Sequence, residues 1–294
     1  MRTALLCPEG SERWAFNFIM EDFKQWVDRP SYTFDLINTQ KITENLREYD
    51  WIISPLLGQA SYDTEFFKEE IRPKFIAWLG GMKTYDRIRD WSIFRYVFAQ
   101  SRSLIRDALH DTTYFVRPTG VDTEMFRPLT VRKRHFAGIT GRGGRQDDWK
   151  SRAERINNWF IPICTNARVT GHLIDTRGNF RVPREKMPRL YNQLHVFMCT
   201  FSSAGGPLTL LEAASCGLPI ISTDVGYVRE GLIEGNGFIC NTKEEFVDAL
   251  IHLKENPNKK REMGKRGREL VLKNWTWKKR AEEWITTIEE LDNQ

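Results

Sequence analysis

Residues 203–222 read Ser-Ala-Gly-Gly-Pro-Leu-Thr-Leu-Leu-Glu-Ala-Ala-Ser-Cys-Gly-Leu-Pro-Ile-Ile-Ser: a turn of small residues, a short helix with one carboxylate, a Gly-Pro break and an apolar strand. A glycine turn that opens a helix presents backbone N–H groups at the positive end of the helix dipole, an arrangement suited to phosphate. Glu212 is expected about two turns into that helix, where a carboxylate accepts hydrogen bonds from ribose hydroxyls. Together these features fit a nucleoside diphosphate. A second stretch, Thr140-Gly-Arg-Gly-Gly-Arg-Gln-Asp-Asp-Trp-Lys150, follows an apolar run. Arg142, Arg145 and Lys150 would supply fixed cations that stabilise charge building on a leaving diphosphate. The same loop also reads as a solvated basic turn, or as a backbone cradle for phosphate.

These residues need strands and helices to hold them. Short apolar runs predict strands at 3–7, 32–37, 51–55, 75–79, 96–100 and 114–117, then at 135–140, 167–171, 196–200, 219–223 and 237–240. Helical patterns fall between them, at 11–27, 151–159, 186–193 and 244–255, with a final helix over 275–291. Strand–helix alternation in two sets predicts an α/β protein with two doubly wound, Rossmann-like domains. Ligand crevices are then expected at the carboxyl ends of the strands. The boundary is Pro118-Thr-Gly-Val-Asp-Thr-Glu-Met-Phe-Arg-Pro128, an ordered connector with Phe126 as its apolar anchor.

Composition narrows the class. The 294 residues are 40% hydrophobic, which fits a globular chain. No apolar run reaches the roughly 20 residues of a membrane span, and the N-terminal run is too short for a signal peptide. The five cysteines are scattered, without metal-ligand spacing, and read as buried free thiols of a cytoplasmic protein. Residues 1–128 hold 17 Lys+Arg and 19 Asp+Glu (−2), so the rest hold 44−17 = 27 and 39−19 = 20 (+7). The excess positive charge thus lies with the expected phosphate site, although residues 72–106 are also locally basic. Asp147 and Asp148 read as solvated, not as a metal site. His172 and His195 are expected to be packed, and the tryptophans to be core and cleft wall.

Several segments resemble a retaining GT-B glycosyltransferase of the glycogen-synthase-like superfamily, the glycosyl transferases group 1. Gly120-Val-Asp-Thr-Glu-Met-Phe-Arg-Pro128 is similar to that family's interdomain motif. Residues 207–221 resemble its G-L-x-x-L-E-A-M-A-C-G-x-P-V-I, residues 225–238 its following glycine and N-G-F segment, and residues 263–267 with 275–277 its last two helices. The match covers most of 114–285 and is weak before Pro118.

The resemblance implies two Rossmann-like domains facing across a cleft. These are an acceptor-side domain at 1–118, short for the family, a connector at 119–128, a donor domain at 129–275, and a C-terminal helix at 276–294 returning to the first domain. It implies a metal-independent enzyme that moves a sugar with retention from a nucleotide-diphospho-sugar, without further cofactor. A UDP-sugar is favoured, with GDP- and ADP-sugars open. The acceptor would be a hydroxyl of a glycan or lipid-linked saccharide, or of a modified base in DNA. A catalytically impaired nucleotide-sugar-binding protein is a further alternative.

In this frame Lys150 and either Arg142 or Arg145 act on the diphosphate. Gly205, Gly206, Leu208 and Thr209 meet the phosphates and sugar, and Glu212 meets the ribose. The loop at Val182 meets the nucleobase. Gly10, Ser11 and Gly80 are acceptor-side candidates. Two departures stand out. The family's E-x7-E has Ala204 at its first position here, and Leu79-Gly80 stands where the first domain usually carries a histidine. Oligomeric state is not readable from the chain.

Overall fold

The computed structural model describes residues 1–7, 15–27, 30–38, 44–54, 69, 71–79, 91–99, 101, 113–115, 119–141, 155–176, 182–201, 206–226, 228 and 235–293. In chain order the first described elements are β1 (Arg2–Cys7), α1 (Ala15–Trp26), β2 (Thr33–Asn38), β3 (Trp51–Ser54), β4 (Phe75–Leu79), β5 (Tyr96–Ala99) and β6 (Thr113–Phe115). Then follow β7 (His135–Gly141), α2 (Ile161–Asn166), β8 (Gly171–Asp175), α3 (Met187–Asn192), β9 (Leu194–Cys199) and α4 (Leu208–Ser215). The chain ends with β10 (Ile220–Ser222), β11 (Gly237–Ile239), α5 (Lys243–Glu255), α6 (Pro257–Asn274) and α7 (Trp277–Asp292). Two compact units result: Met1–Gly120 with Ser203–Gly206 and Trp277–Gln294, and Val121–Ser202 with Pro207–Thr276.

The first unit is a parallel sheet in the order β2-β1-β3-β4-β5-β6. Its core includes Ile52, Phe75, Ala77 and Val97. α7 belongs to this unit because it presents one apolar stripe, Trp277, Ala281, Trp284, Ile285, Ile288 and Leu291, all buried. Trp284 packs against Phe23 of α1 with ring centroids 4.6 Å apart, and against Trp78 and Phe98 of the sheet. Trp277 Nε1 donates to Asp22 Oδ2 at 3.0 Å, and Tyr32 Oη donates to Glu289 Oε1 at 2.6 Å.

The second unit is a parallel sheet in the order β11-β10-β9-β7-β8. The chain leaves β7 for β8 on one side and returns to β9 on the other, so a topological switch point lies between β7 and β9. α5 starts on a capping box: Thr242 Oγ1 accepts from the Glu245 N–H at 3.2 Å, while Glu245 Oε2 accepts from the Thr242 N–H at 3.2 Å.

The strand expected at 167–171 is a correction. A π-helical turn at Ile156–Phe160 runs into α2, which continues to Asn166. Arg168 then takes a left-handed φ of 51°, with Val169 N–H donating to Cys164 O at 3.0 Å and Arg168 N–H to Thr165 O at 3.1 Å. This is a Schellman closure without its usual glycine, so the pattern hid it. Lys254 Nζ donates to Arg168 O at 3.0 Å, and β8 begins only at Gly171.

Among the described residues no helix is long and apolar enough to cross a membrane. Cys164, Cys199, Cys216 and Cys240 are buried thiols outside any disulfide. Burial pushes the Cys164 and Cys240 thiols up to about 12.

Candidate functional site

The segments that follow β7, β8 and β9 in the chain carry every donor-side candidate. The segment after β7 holds Arg142, Arg145 and Lys150, which lie outside the described residues. So do Gly205, which follows β9 in the chain, and Gly10, Ser11 and Gly80 of the first half. Described are Val182, after β8, and Gly206, Leu208, Thr209 and Glu212, after β9.

α4 begins on Pro207, whose extended backbone (φ −69°, ψ 108°) turns the chain into the helix without a side-chain cap. The helix is short because Gly217 takes a left-handed φ of 78°. Gly217 N–H donates to Ala214 O at 2.9 Å and Leu218 N–H to Ala213 O at 3.1 Å, again a Schellman closure. The first turn lies at the switch point: Thr140 Oγ1, near the end of β7, is 3.2 Å from Thr209 Oγ1. Leu208 is buried and Thr209 partly exposed.

Glu212 stands about one turn into α4, not two, because the helix begins only at Leu208, after the extended Pro207. It is 4% exposed. Its Oε2 accepts a 2.8 Å hydrogen bond from Tyr191 Oη of α3, and its Oε1 lies 3.9 Å from Arg184 Nε. Burial, reinforced by the neighbouring Glu212, raises the Tyr191 phenol well above its ordinary value. Tyr191 therefore remains a donor, and a buried carboxylate is favoured by a fixed donor and a nearby cation.

Phe126 underlies this pair. It is fully buried, 6.1 Å from the Tyr191 ring, with the Arg184 guanidinium 5.7 Å over its own ring. Its carbonyl is clasped in turn by α6 and α4. Arg268 Nη1 donates to Phe126 O at 2.8 Å and to Ser215 Oγ at 2.7 Å, Arg268 Nη2 donates to Thr123 O at 3.0 Å, and Ser215 Oγ donates to Phe126 O at 2.5 Å. One guanidinium thus fixes the connector beside the helix that carries Glu212.

α6 can approach so closely because Gly264 faces Gly217; a Cβ on Gly264 would run into the Gly217 carbonyl oxygen. Val182, partly exposed, donates its N–H to Asp175 O at 2.9 Å and leads through Pro183 and the turn Arg184–Lys186 into α3. The β8–α3 loop therefore places both Val182 and Arg184.

Sequence reasoning did not find Tyr191, Arg184 or Arg268. A signal existed for Tyr191: a tyrosine inside an apolar helical pattern needs a partner for its hydroxyl. His172 and His195 do not join the site. His172 stacks on His135 at 4.4 Å, and His195 lies 5.5 Å from Phe136. Both pairs lie near the amino-terminal ends of β7, β8 and β9. Trp51, Trp275, Trp277 and Trp284 are core. Among the described residues no cluster could hold a metal ion.

Residues 176–270 match the family model described as Glycosyl transferases group 1, so this segment belongs to that family. A probable sucrose-phosphate synthase of Thermosipho melanesiensis is 31% identical over 201 residues, 60% of this chain and 47% of that protein. A GDP-mannose-dependent alpha-(1-6)-phosphatidylinositol monomannoside mannosyltransferase of Mycolicibacterium smegmatis is 29% identical over 131 residues, 40% of this chain and 33% of that protein. The chain thus spans less than half the length of these curated relatives. Among solved structures, a sucrose-phosphate synthase from Thermosynechococcus elongatus aligns with TM-score 0.73 at 14% identity, covering 100% of this chain and 99% of that one. Anabaena HepE in complex with UDP aligns with TM-score 0.69 at 13% identity, covering 99% and 100%. The two sheets are those of the GT-B fold.

Proposed function

We propose that this chain, whose second unit carries a glycosyl transferases group 1 segment, moves a sugar from a nucleotide-diphospho-sugar to a hydroxyl acceptor. The observation that carries the reading is Glu212, a buried carboxylate one turn into α4, at the switch point of the second sheet, with one oxygen held by Tyr191. A ribose diol donates to that carboxylate, and the diphosphate lies over Gly205, Gly206, Leu208 and Thr209 at the head of α4. The loop at Val182 borders the base. UDP is the favoured nucleotide, supported by the UDP complex of HepE.

Arg142 or Arg145, with Lys150, stabilises the leaving diphosphate, so transfer needs no metal. The bond from the anomeric carbon to the diphosphate oxygen breaks while the acceptor oxygen bonds to the same face. The acceptor proton passes to the departing phosphate, and configuration is retained. The acceptor class is a glycan or lipid-linked saccharide, supported by the lipid-glycan acceptor in the mycobacterial relative's name. The protein is read as cytoplasmic.

Ala204 favours a second reading, a nucleotide-sugar-binding protein without turnover, because the first glutamate of E-x7-E is missing.

Saturation-transfer NMR against UDP-, GDP-, ADP- and CDP-sugars, followed over hours with Glu212→Ala as control, tests both. Binding with slow release of free sugar supports transfer. Binding without release, even with hydroxyl acceptors present, favours the second reading. Absence of binding to any of these donors overturns the site.

A further inference from the structure

The opposite edge of the second sheet, where β7, β8 and β9 begin, carries a cationic surface that sugar transfer does not use. The extended segment 129–134 runs along it: Leu129 N–H donates to Asn192 Oδ1 at 2.8 Å and Arg134 N–H to Gln193 O at 2.9 Å. Lys133 Nζ donates to Leu194 O at 2.5 Å. Lys260 Nζ sits 4.7 Å from the Phe136 ring, which neighbours His195. Arg132, Arg134, Lys259 and Arg261 are exposed around them.

Two features set this surface apart from an ordinary solvated face. First, Lys259, Lys260 and Arg261 crowd the start of the 18-residue α6, which has no acidic residue in its first turn. Cations at that end oppose the helix dipole. Second, Lys260 and Lys133 gather beside Phe136 and His195, where burial first and these cations next disfavour a further positive charge, and among the described residues none of these cations is tied to a carboxylate. An anionic partner compensates both the cations at the helix start and those gathered beside His195. The half of the chain that carries this edge holds 27−20 = +7, against 17−19 = −2 for the other. Leu129, 37% exposed, adds an apolar side chain at the head of the basic run. A lipid headgroup layer takes up both the cations and the apolar side chain, whereas a nucleic-acid backbone rewards the cations alone.

We infer that the edge formed by Leu129, Arg132, Arg134, Lys259, Lys260 and Arg261 docks the protein on an anionic phospholipid surface. The inference is independent of the donor site, which lies at the other end of the same strands.

The full chain is sedimented with phosphatidylcholine vesicles with and without phosphatidylglycerol, at rising salt. Salt-sensitive partition into the anionic vesicles alone is expected. Arg132→Glu with Arg134→Glu should lower it by at least ~25-fold, at about fivefold per cationic side chain. Lys24→Glu with Lys278→Glu changes the net charge equally, on the first unit, and should leave it within about twofold. Leu129→Ser should weaken vesicle binding without weakening binding to a DNA duplex. No partition at low salt, an equal loss in both double variants, or binding to the duplex but not to vesicles overturns the inference.

Discussion

Tyr191 Oη donates to Glu212 Oε2 at 2.8 Å between two helices, with both residues buried. The bond fixes one carboxylate oxygen and leaves the other beside Arg184, 3.9 Å away. In the proposed function this is what orients Glu212 toward a ribose diol.

Tyr191→Phe keeps the ring on Phe126 and Phe197 but removes the donor from a buried carboxylate. Stability should fall by about 1–3 kcal/mol in urea titration. Donor Kd by calorimetry should rise about tenfold, the equivalent of one hydrogen bond at about 1.4 kcal/mol. Unchanged donor affinity in a folded variant would separate Tyr191 from the site.

Lys150→Ala and the Ala variants of Arg142 and Arg145 distinguish the diphosphate ligands. The two true ligands should each lose roughly 10²–10³ in kcat with little change in melting temperature, the signature of a group that acts on transition-state charge. The remaining arginine should be near neutral. Equal, small effects from all three would reduce the loop to a solvated basic turn.

Arg268→Ala removes the clasp on Phe126 O, Ser215 and Thr123 O. A loss of about 2–4 kcal/mol is expected in chemical denaturation, since several buried acceptors lose a charged donor together. Arg268→Lys should not restore it, because a point cation cannot span the acceptors that the planar fork meets. A full rescue by lysine would show that charge alone matters.

Acid should weaken the second unit through His195. Burial, with help from Lys260 and Lys133, pushes its pKa down to about 4 from 6.5. The unfolded chain therefore takes up the proton first, and stability falls as pH drops from about 6.5 to about 4. Because the side chain is partly exposed, solvent screening reduces the contribution to about 1 kcal/mol. His195→Gln should flatten that portion of a stability-versus-pH curve; an unchanged slope would assign it to other groups.

The two parallel sheets were legible in the chain, because β-branched and aromatic runs alternating with helical patterns leave few other ways to bury them. It also located the connector's buried anchor Phe126 and the break at Gly217, both local signals. It misplaced the strand after α2, because Arg168 occupies the left-handed position where a glycine would have announced the helix end. It placed Glu212 a turn too deep, because the extended backbone at Pro207, which delays the start of α4 to Leu208, is not written in the local pattern.

What Glu212 touches is set by packing between distant elements. Tyr191 comes from a helix 21 residues earlier, and Arg268 reaches a carbonyl 142 residues away. Such pairings are set by how helices stack on the sheet, and no local propensity or spacing encodes them. The cationic edge is of the same kind: Arg132 to Arg134 and Lys259 to Arg261 are ordinary basic runs in the sequence. They become one surface only because β7 starts where α6 begins.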